Sequence, residues 1–296
     1  MPMNAIPNTT PETTPDLAPK DQIHPIWSAL AAEIAAWTRI GLTQNPPSPI
    51  VVGILAGQGT GKSTLVQCLK ELLQTDWNLT AVCLSLDDFY LPYEIRLRLK
   101  EHDPRLLWRG PPGTHDVHLG VQTLKKLRSQ MFPVLLPQFD KSMHYGQGDR
   151  IPPIEVHQAD VILFEGWFVG ARPVSPFQLE TAPPPVVSEA DRNFARDMNR
   201  NLHAYLPLWE QLDRLILLNP KDYRLSLQWR MEAEANMRAA GKSGMSDVEV
   251  VQFVEYFWKA LHPELFVLPL RDEPQWIDRI IDIDAHHQPT QLYQPK

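Results

Sequence analysis

The sequence predicts an α/β fold: a mostly parallel sheet with helices on both faces. Three observations predict it. Short, nearly continuous apolar runs, as in buried parallel strands, recur at "PIVVGILAG", "LTAVCLSLDDF", "ADVILFEGW" and "LDRLILLNP". Segments with helical spacing lie between several of these runs. The first run passes through a glycine-rich turn, "GQGTGKSTL", into a further helical stretch. Strand, glycine-rich loop, helix is the setting of a phosphate-holding loop, so the α/β fold is read as the P-loop NTPase type.

A chain of 296 residues with 43% hydrophobic residues can bury a large core, and residues 23–296 are read as a single domain with insertions. The formal charge of −7 and the lack of a long Lys/Arg run give no electrostatic footprint for nucleic acid or an anionic membrane. Small-molecule chemistry is expected, and no protein partner is evident. Cys68 and Cys83 fall in a predicted helix and a predicted strand, which suits a reduced, intracellular protein, and neither is assigned to a metal or a disulfide. Residues 1–22, rich in Pro and Thr and without an apolar stretch, are expected to be a disordered tail, and the expected address is cytoplasmic.

From Ile23 to about Ile40, apolar residues at Ile26, Leu30, Ile34 and Trp37 mark a helix that covers the core. The phosphate loop follows the first strand. In the pattern G-x-x-x-x-G-K-[ST], Ala56 takes the place of the first glycine, followed by Gly57, Gln58, Gly59, Thr60, Gly61, Lys62, Ser63 and Thr64. Its backbone N–H groups surround phosphate oxygens at a helix N-terminus, Lys62 reaches the β/γ-phosphates, and Ser63 holds Mg²⁺. The nucleotide is expected to be ATP. A second "GKS", at Gly241–Ser243, follows a charged helical segment instead of a strand and is read as a loop.

The second strand ends in Asp87 and Asp88, one of which is expected to face the γ-phosphate, because ligands bind beyond the carboxyl ends of the strands in open α/β sheets. The other is expected to be a turn or cap residue. The third strand ends in Glu165, an acid after four apolar residues, the layout of a Walker-B magnesium or water holder. Two long stretches interrupt the alternation: residues 90–155, expected to bind the acceptor, and 172–195, a Pro-rich surface insertion. After the fourth strand, residues 221–245 read as a helix and glycine-containing loop, and "DVEVVQFVEYFWKALHPELF" reads as an amphipathic helix facing the core.

Taken in order, "GQGTGKSTL", "LSLDDFYL", "RGPPGTHD", "PQFDKSMHYGQGDR" and "LFEGWFVG" resemble the D-glycerate 3-kinase family of the plant and cyanobacterial type, with its fungal relatives. The likeness runs from about Pro49 to Asp284. More distantly the set is similar to uridine kinase, phosphoribulokinase and pantothenate kinase. The resemblance implies an ATP- and Mg²⁺-dependent transfer to the primary hydroxyl of D-glycerate, giving 3-phosphoglycerate, with a place in photorespiration if the source is photosynthetic. By the same resemblance the aspartate of the relatives' D-x-F-Y pattern falls on Asp87 as general base, with Asp88 as runner-up, and Glu165 matches their acid for magnesium.

Glycerate is a small anion, so its site calls for cationic and hydrogen-bonding side chains. Arg109, His115, Asp116, Lys141 and Arg150 supply these within the long insertion, with Tyr90 as a wall of the site. Each has a plainer reading beside it. Asp116 stands where an N-cap would begin the helix of "VHLGVQTLKKLR", His115 suits a structural histidine, and Lys141 suits a solvated charge. Arg224, Arg230 and Arg238 are lid arginines by the same comparison, with Arg230 foremost, or one charged helix face paired with Glu232 and Glu234. Two rivals remain: a kinase of this fold for another small alcohol such as a nucleoside or pantothenate, with Trp108 and Tyr145 available for stacking, and an ATP-dependent regulatory protein.

Overall fold

The computed structural model describes residues 23–241 and 244–296, so the expected N-terminal tail and two residues of the "GKS" loop lie outside the described residues. The chain runs α1 (Pro25–Leu42), β1 (Ile50–Ala56), α2 (Lys62–Trp77), β2 (Ala81–Ser85), α3 (Tyr93–His102), α4 (Val117–Arg128), β3 (Val134–Asp140), β4 (Asp149–Val156) and β5 (Val161–Gly166). It continues with α5 (Pro176–Glu180), α6 (Glu189–Leu202), α7 (Leu206–Trp209), β6 (Arg214–Pro220), α8 (Leu225–Ala239), α9 (Asp247–Ala260), α10 (Pro263–Phe266), β7 (Arg279–Ile283) and β8 (Pro289–Tyr293). Among the described residues no helix is long and apolar enough to cross a membrane.

The main sheet has the order β2-β5-β1-β6-β7-β8. All neighbours in it are parallel except β8, which returns antiparallel to β7. Side chains alternate across a strand, so each strand feeds two cores. Val51 and Leu55 join Phe164 and Leu217 beneath α4, α6 and α9, whereas Val52, Ile54 and Ala56 join Leu163 and Ile216 beneath α1 and α2. Because β1 is covered on both faces, all of its residues are buried, which explains the unbroken apolar run in its sequence. Ala56 is the last residue of that strand and lies before the turn, so its methyl packs in the core without displacing the phosphate loop.

The stretch 90–155 is less irregular than its composition suggests. It holds α3, α4 and a separate two-stranded antiparallel ribbon, β3-β4. Arg96 of α3 staples the ribbon's turn: Nε donates to the Leu91 carbonyl, Nη1 to Gln147 and Nη2 to Gly148. Tyr93 N donates to Asp149 Oδ1 at 2.9 Å. Buried carbonyls need donors, and one guanidinium meets three of them here. The Pro-rich stretch also folds in part, into α5 and the start of α6.

Candidate active site at the carboxyl ends of the strands

Residues 57–61 turn from β1 into α2, whose N-terminus is exposed at Ser63 and Thr64, with Ser63 on the cleft. Thr60 Oγ1 and Lys62 Nζ both donate to the Gly57 carbonyl, at 2.7 and 3.1 Å, which holds the turn closed on itself. Gly59 has φ +76° and a Cβ there would stand 3.0 Å from that of Trp229 in α8, so glycine is required by conformation and by the close approach of the next helix.

Glu165 lies near the end of β5, level with Ile54 of β1 and Ser85 of β2, and is 9% exposed. Burial pushes its carboxyl upward, as does Asp87, while Lys62 and a hydrogen bond from Ser85 pull it back. After β2 the chain makes a 3₁₀ turn, Leu86–Phe89, and here the two aspartates part company. Asp88 Oδ2 accepts from the Ser85 backbone N at 2.9 Å while Ser85 Oγ accepts from Asp87 N at 3.2 Å, which is a capping box. Asp88 is therefore turned back onto the strand. Burial and the charges of Asp87 and Glu165 push its carboxyl up to about 7, against the Ser85 hydrogen bond and Lys141.

Asp87 faces the cleft. Lys141, just past the end of β3, brings Nζ to 2.9 Å from Asp87 Oδ2, and the Tyr90 phenol bonds the same carboxylate. Burial raises the Asp87 pKa, but the Lys141 charge and hydrogen bond, with help from His115 and Tyr90, outweigh it and hold the carboxyl well below its usual range. The cleft brings together Gln58, Gly59, Lys62 and Ser63 of the phosphate loop with Asp87, Tyr90, Arg109, Lys141, Glu165 and Arg230. Arg109 is held by Gly146, whose carbonyl accepts from Nη1 at 2.6 Å, and its guanidinium lies over the rings of Tyr90 and Phe139. The "RGPPGTHD" turn that presents it needs Gly110: φ is +128°, and a Cβ would meet the Phe257 ring at 2.3 Å.

The remaining expected acceptor residues stand behind this wall. Asp116 caps α4, accepting from Leu119 N at 3.0 Å, and pairs with Arg150 at 3.1 Å. Arg150 Nε donates to the Tyr90 carbonyl at 2.8 Å, so this ion pair ties the ribbon to the turn that carries Tyr90. His115 is buried, stacked on Tyr90 with ring centroids 4.4 Å apart, and its Nδ1 is 2.8 Å from the Tyr205 hydroxyl. Asp88, His115, Asp116 and Arg150 thus support the cleft without lining it, each held by a hydrogen bond formed inside the fold.

Of the arginines after β6, Arg230 alone lines the cleft among the described residues, over the Phe253 ring and paired with the buried Glu234 at 2.5 Å. Arg224 pairs with Asp222 and Glu264, and Arg238 with Asp247 and the Met245 carbonyl. Sequence reasoning missed the apolar wall: Trp167, which follows the Glu165-Gly166 strand end, together with Phe253 and Phe257 of α9 and Trp229 of α8. The stapling role of Arg96 was missed as well. The apolar periodicity of α9 marks Phe253 and Phe257 as inward-facing but not as a wall of the cleft, and none marks Arg96, because each role depends on a neighbour far away in the chain.

Burial pushes the His115 imidazole down to about 3, against the pull of Asp87 and with the aid of Arg96. The folded chain therefore binds fewer protons than the unfolded chain between the ordinary histidine value of 6.5 and about 3, and stability is lost as pH falls through that window. Urea unfolding at several pH values between about 7 and about 4 is expected to show this decline, with a shallower slope in His115→Phe than in the parent chain. An unchanged slope would remove His115 as a cause.

No family model matches the chain. The chloroplastic D-glycerate 3-kinase of Arabidopsis thaliana is 36% identical over 259 residues, covering 81% of this chain and 54% of the plant protein, so the chain spans about half the length of that relative. An uncharacterised kinase of Schizosaccharomyces pombe is 32% identical over 218 residues, covering 71% of this chain and 78% of the yeast protein. Among solved structures, D-glycerate 3-kinase from Cryptococcus neoformans matches with a TM-score of 0.80 at 30% identity, over 90% of this chain and 97% of that one. With that coverage added to the phosphate loop and the strand-end acids gathered around one cleft, the chain belongs to the D-glycerate 3-kinase family of P-loop kinases.

Proposed function

We propose that the protein transfers the γ-phosphate of ATP to the primary hydroxyl of D-glycerate, giving 3-phosphoglycerate and ADP. The observation that carries this reading is the placement of Asp87, Arg109 and Lys141 across one cleft from the phosphate loop: a strand-end carboxylate beside two cations, suited to an anionic acceptor. The acceptor oxygen attacks the γ-phosphorus in line as the bond to the β-bridging oxygen breaks, and the hydroxyl proton passes late to Asp87. Lys62 and Arg230 bind the phosphate oxygens, and Arg109 holds the acceptor carboxylate.

The residues fit Mg²⁺. Ser63 offers a hydroxyl and Glu165 a carboxylate on the same cleft, and among the described residues there is no cluster of three or more metal-binding acids, histidines or cysteines, as suits an ion held mainly by phosphates and water. When bound, Mg²⁺ neutralises charge on the β- and γ-phosphates.

The direct test is ADP release from MgATP against D-glycerate, L-glycerate, uridine, pantothenate, ribulose 5-phosphate and no acceptor. Stimulation by D-glycerate, with the 3-phosphate identified as product, supports the reading; stimulation by another acceptor instead overturns the substrate. Arg109→Met is expected to raise the D-glycerate KM by about tenfold to a hundredfold, as loss of a charged hydrogen bond implies, with a smaller effect on kcat. An unchanged KM would take Arg109 out of the acceptor site.

A further inference from the structure

We infer that Lys141 is a lock on the catalytic base, released by the negative charge of the acceptor, and that it thereby keeps water from consuming ATP. The inference rests on the kinase reading of this cleft and on Asp87 as its base. Lys141 Nζ sits 2.9 Å from Asp87 Oδ2, and the Tyr90 phenol bonds the same carboxylate. An acceptor hydroxyl has to approach the same carboxylate, whose affinity for a proton is lowered while Lys141 stays on it, and of the two partners one is far better able to move aside. Tyr90 is 4% exposed and pinned beneath His115 and Phe139, whereas Lys141 is 42% exposed on a flexible stem.

The backbone that carries Lys141 is fixed. Arg96 and Arg109 clamp the carbonyls of residues 146–148 across the same turn, and Asp140 is occupied by Ser142, whose N and Oγ donate to it at 2.8 and 2.6 Å. Only the side chain has to swing. An ammonium leaves a carboxylate at little cost when another anion takes its place. Glycerate brings such an anion into the cleft beside Arg109, and Lys141 can exchange Asp87 for the acceptor carboxylate. Water is neutral and offers no exchange. While Lys141 stays on Asp87, the carboxylate is a poor acceptor for the proton that a water near the γ-phosphate must lose as its oxygen bonds to phosphorus and ADP departs.

The lock predicts a change in which acceptors are used. In Lys141→Met, MgATP hydrolysis without acceptor is expected to rise on the order of tenfold, below the hundredfold or more that a fully positioned base contributes, because water is not oriented as an acceptor is. Phosphorylation of glycerol, the neutral counterpart of glycerate, is expected to rise alongside it, and Lys141→Arg to restore the low hydrolysis. A second readout needs no turnover. Brief acylation of the nucleotide-free chain, read by mass spectrometry, should label Lys141 more slowly than the exposed Lys125, and Asp87→Asn should speed the labelling of Lys141. Flat or reduced hydrolysis in Lys141→Met, or labelling of Lys141 that ignores Asp87→Asn, overturns the lock. The outcomes separate it from the glycerate reading: if D-glycerate is no substrate but Lys141→Met still hydrolyses ATP faster, the substrate falls and the lock stands. Phosphorylated D-glycerate with unchanged hydrolysis gives the reverse.

Discussion

Asp87→Asn is expected to lower phosphoryl transfer to D-glycerate by about 10² to 10⁴-fold while leaving MgATP binding within a few-fold of the parent. The amide keeps the size of the carboxylate and its place in the 3₁₀ turn, so the capping box between Ser85 and Asp88 survives. What it loses is a proton acceptor and the negative charge that faces Lys141. The loop that holds the phosphates stands on β1 and α2 and draws its internal bonds from Gly57, Thr60 and Lys62, none of which involves Asp87. Steady-state transfer and calorimetric titration with a non-hydrolysable ATP analogue check the two halves separately. Transfer that stays within about tenfold of the parent would remove Asp87 as the base.

Lys62→Met should act on the other partner in the reaction. In the structure the ammonium rests on the Gly57 carbonyl at 3.1 Å, a weak hold that a phosphate oxygen can replace. Methionine keeps the length of the side chain and removes the charge, so the loop should fold while the developing charge on the transferred phosphoryl loses a fixed donor. Loss of one such donor typically costs about 10² to 10³-fold in kcat. The expected result is that fall in kcat with a weaker ATP interaction and an unchanged urea midpoint. An unchanged kcat would mean that the phosphate is held without Lys62.

How much of this was legible in the sequence depends on which interaction gives each element its form. β1, β5 and β6 were readable because strands buried on both faces must be apolar nearly throughout, and the phosphate loop because its conformation restricts the residues that can occupy it. α3 gave no such signal: Ile95 and Leu97 are exposed, and the helix is bound to the ribbon through Arg96 instead of an apolar stripe. β3 and β4 carry Pro137, Pro152 and Pro153, which argue against a strand in any paired interior and are tolerated here on a two-stranded ribbon. β7 and β8 passed unnoticed because Arg279 and Asp282 break up the apolar run of the first, and Thr290 and Gln291 of the second are exposed.

The aspartate pair shows a signal that was present but not used. Ser85 and Asp88 have the S-x-x-D spacing of a capping box, which marks Asp88 as the residue folded back and leaves Asp87 for the cleft. His115, Asp116 and Arg150 have polar side chains in a segment poor in periodicity, where a residue that braces a site and one that lines it look alike. Only their partners, Tyr205, the start of α4 and the Tyr90 carbonyl, tell them apart.

The β3-β4 ribbon forms its own sheet, outside the main one, and Lys141 extends from it, while Lys62, Ser63 and Glu165 stand at the ends of main-sheet strands or the helix that follows. On the proposed assignments one part of the acceptor site, Lys141, therefore sits on a segment separable from the phosphate machinery, while Arg109 stands apart from the ribbon between α3 and α4. A ribbon grafted from a relative with another acceptor would replace the Lys141 contribution without touching β1 or β5, so that one part of acceptor preference can change while the phosphate machinery is spared.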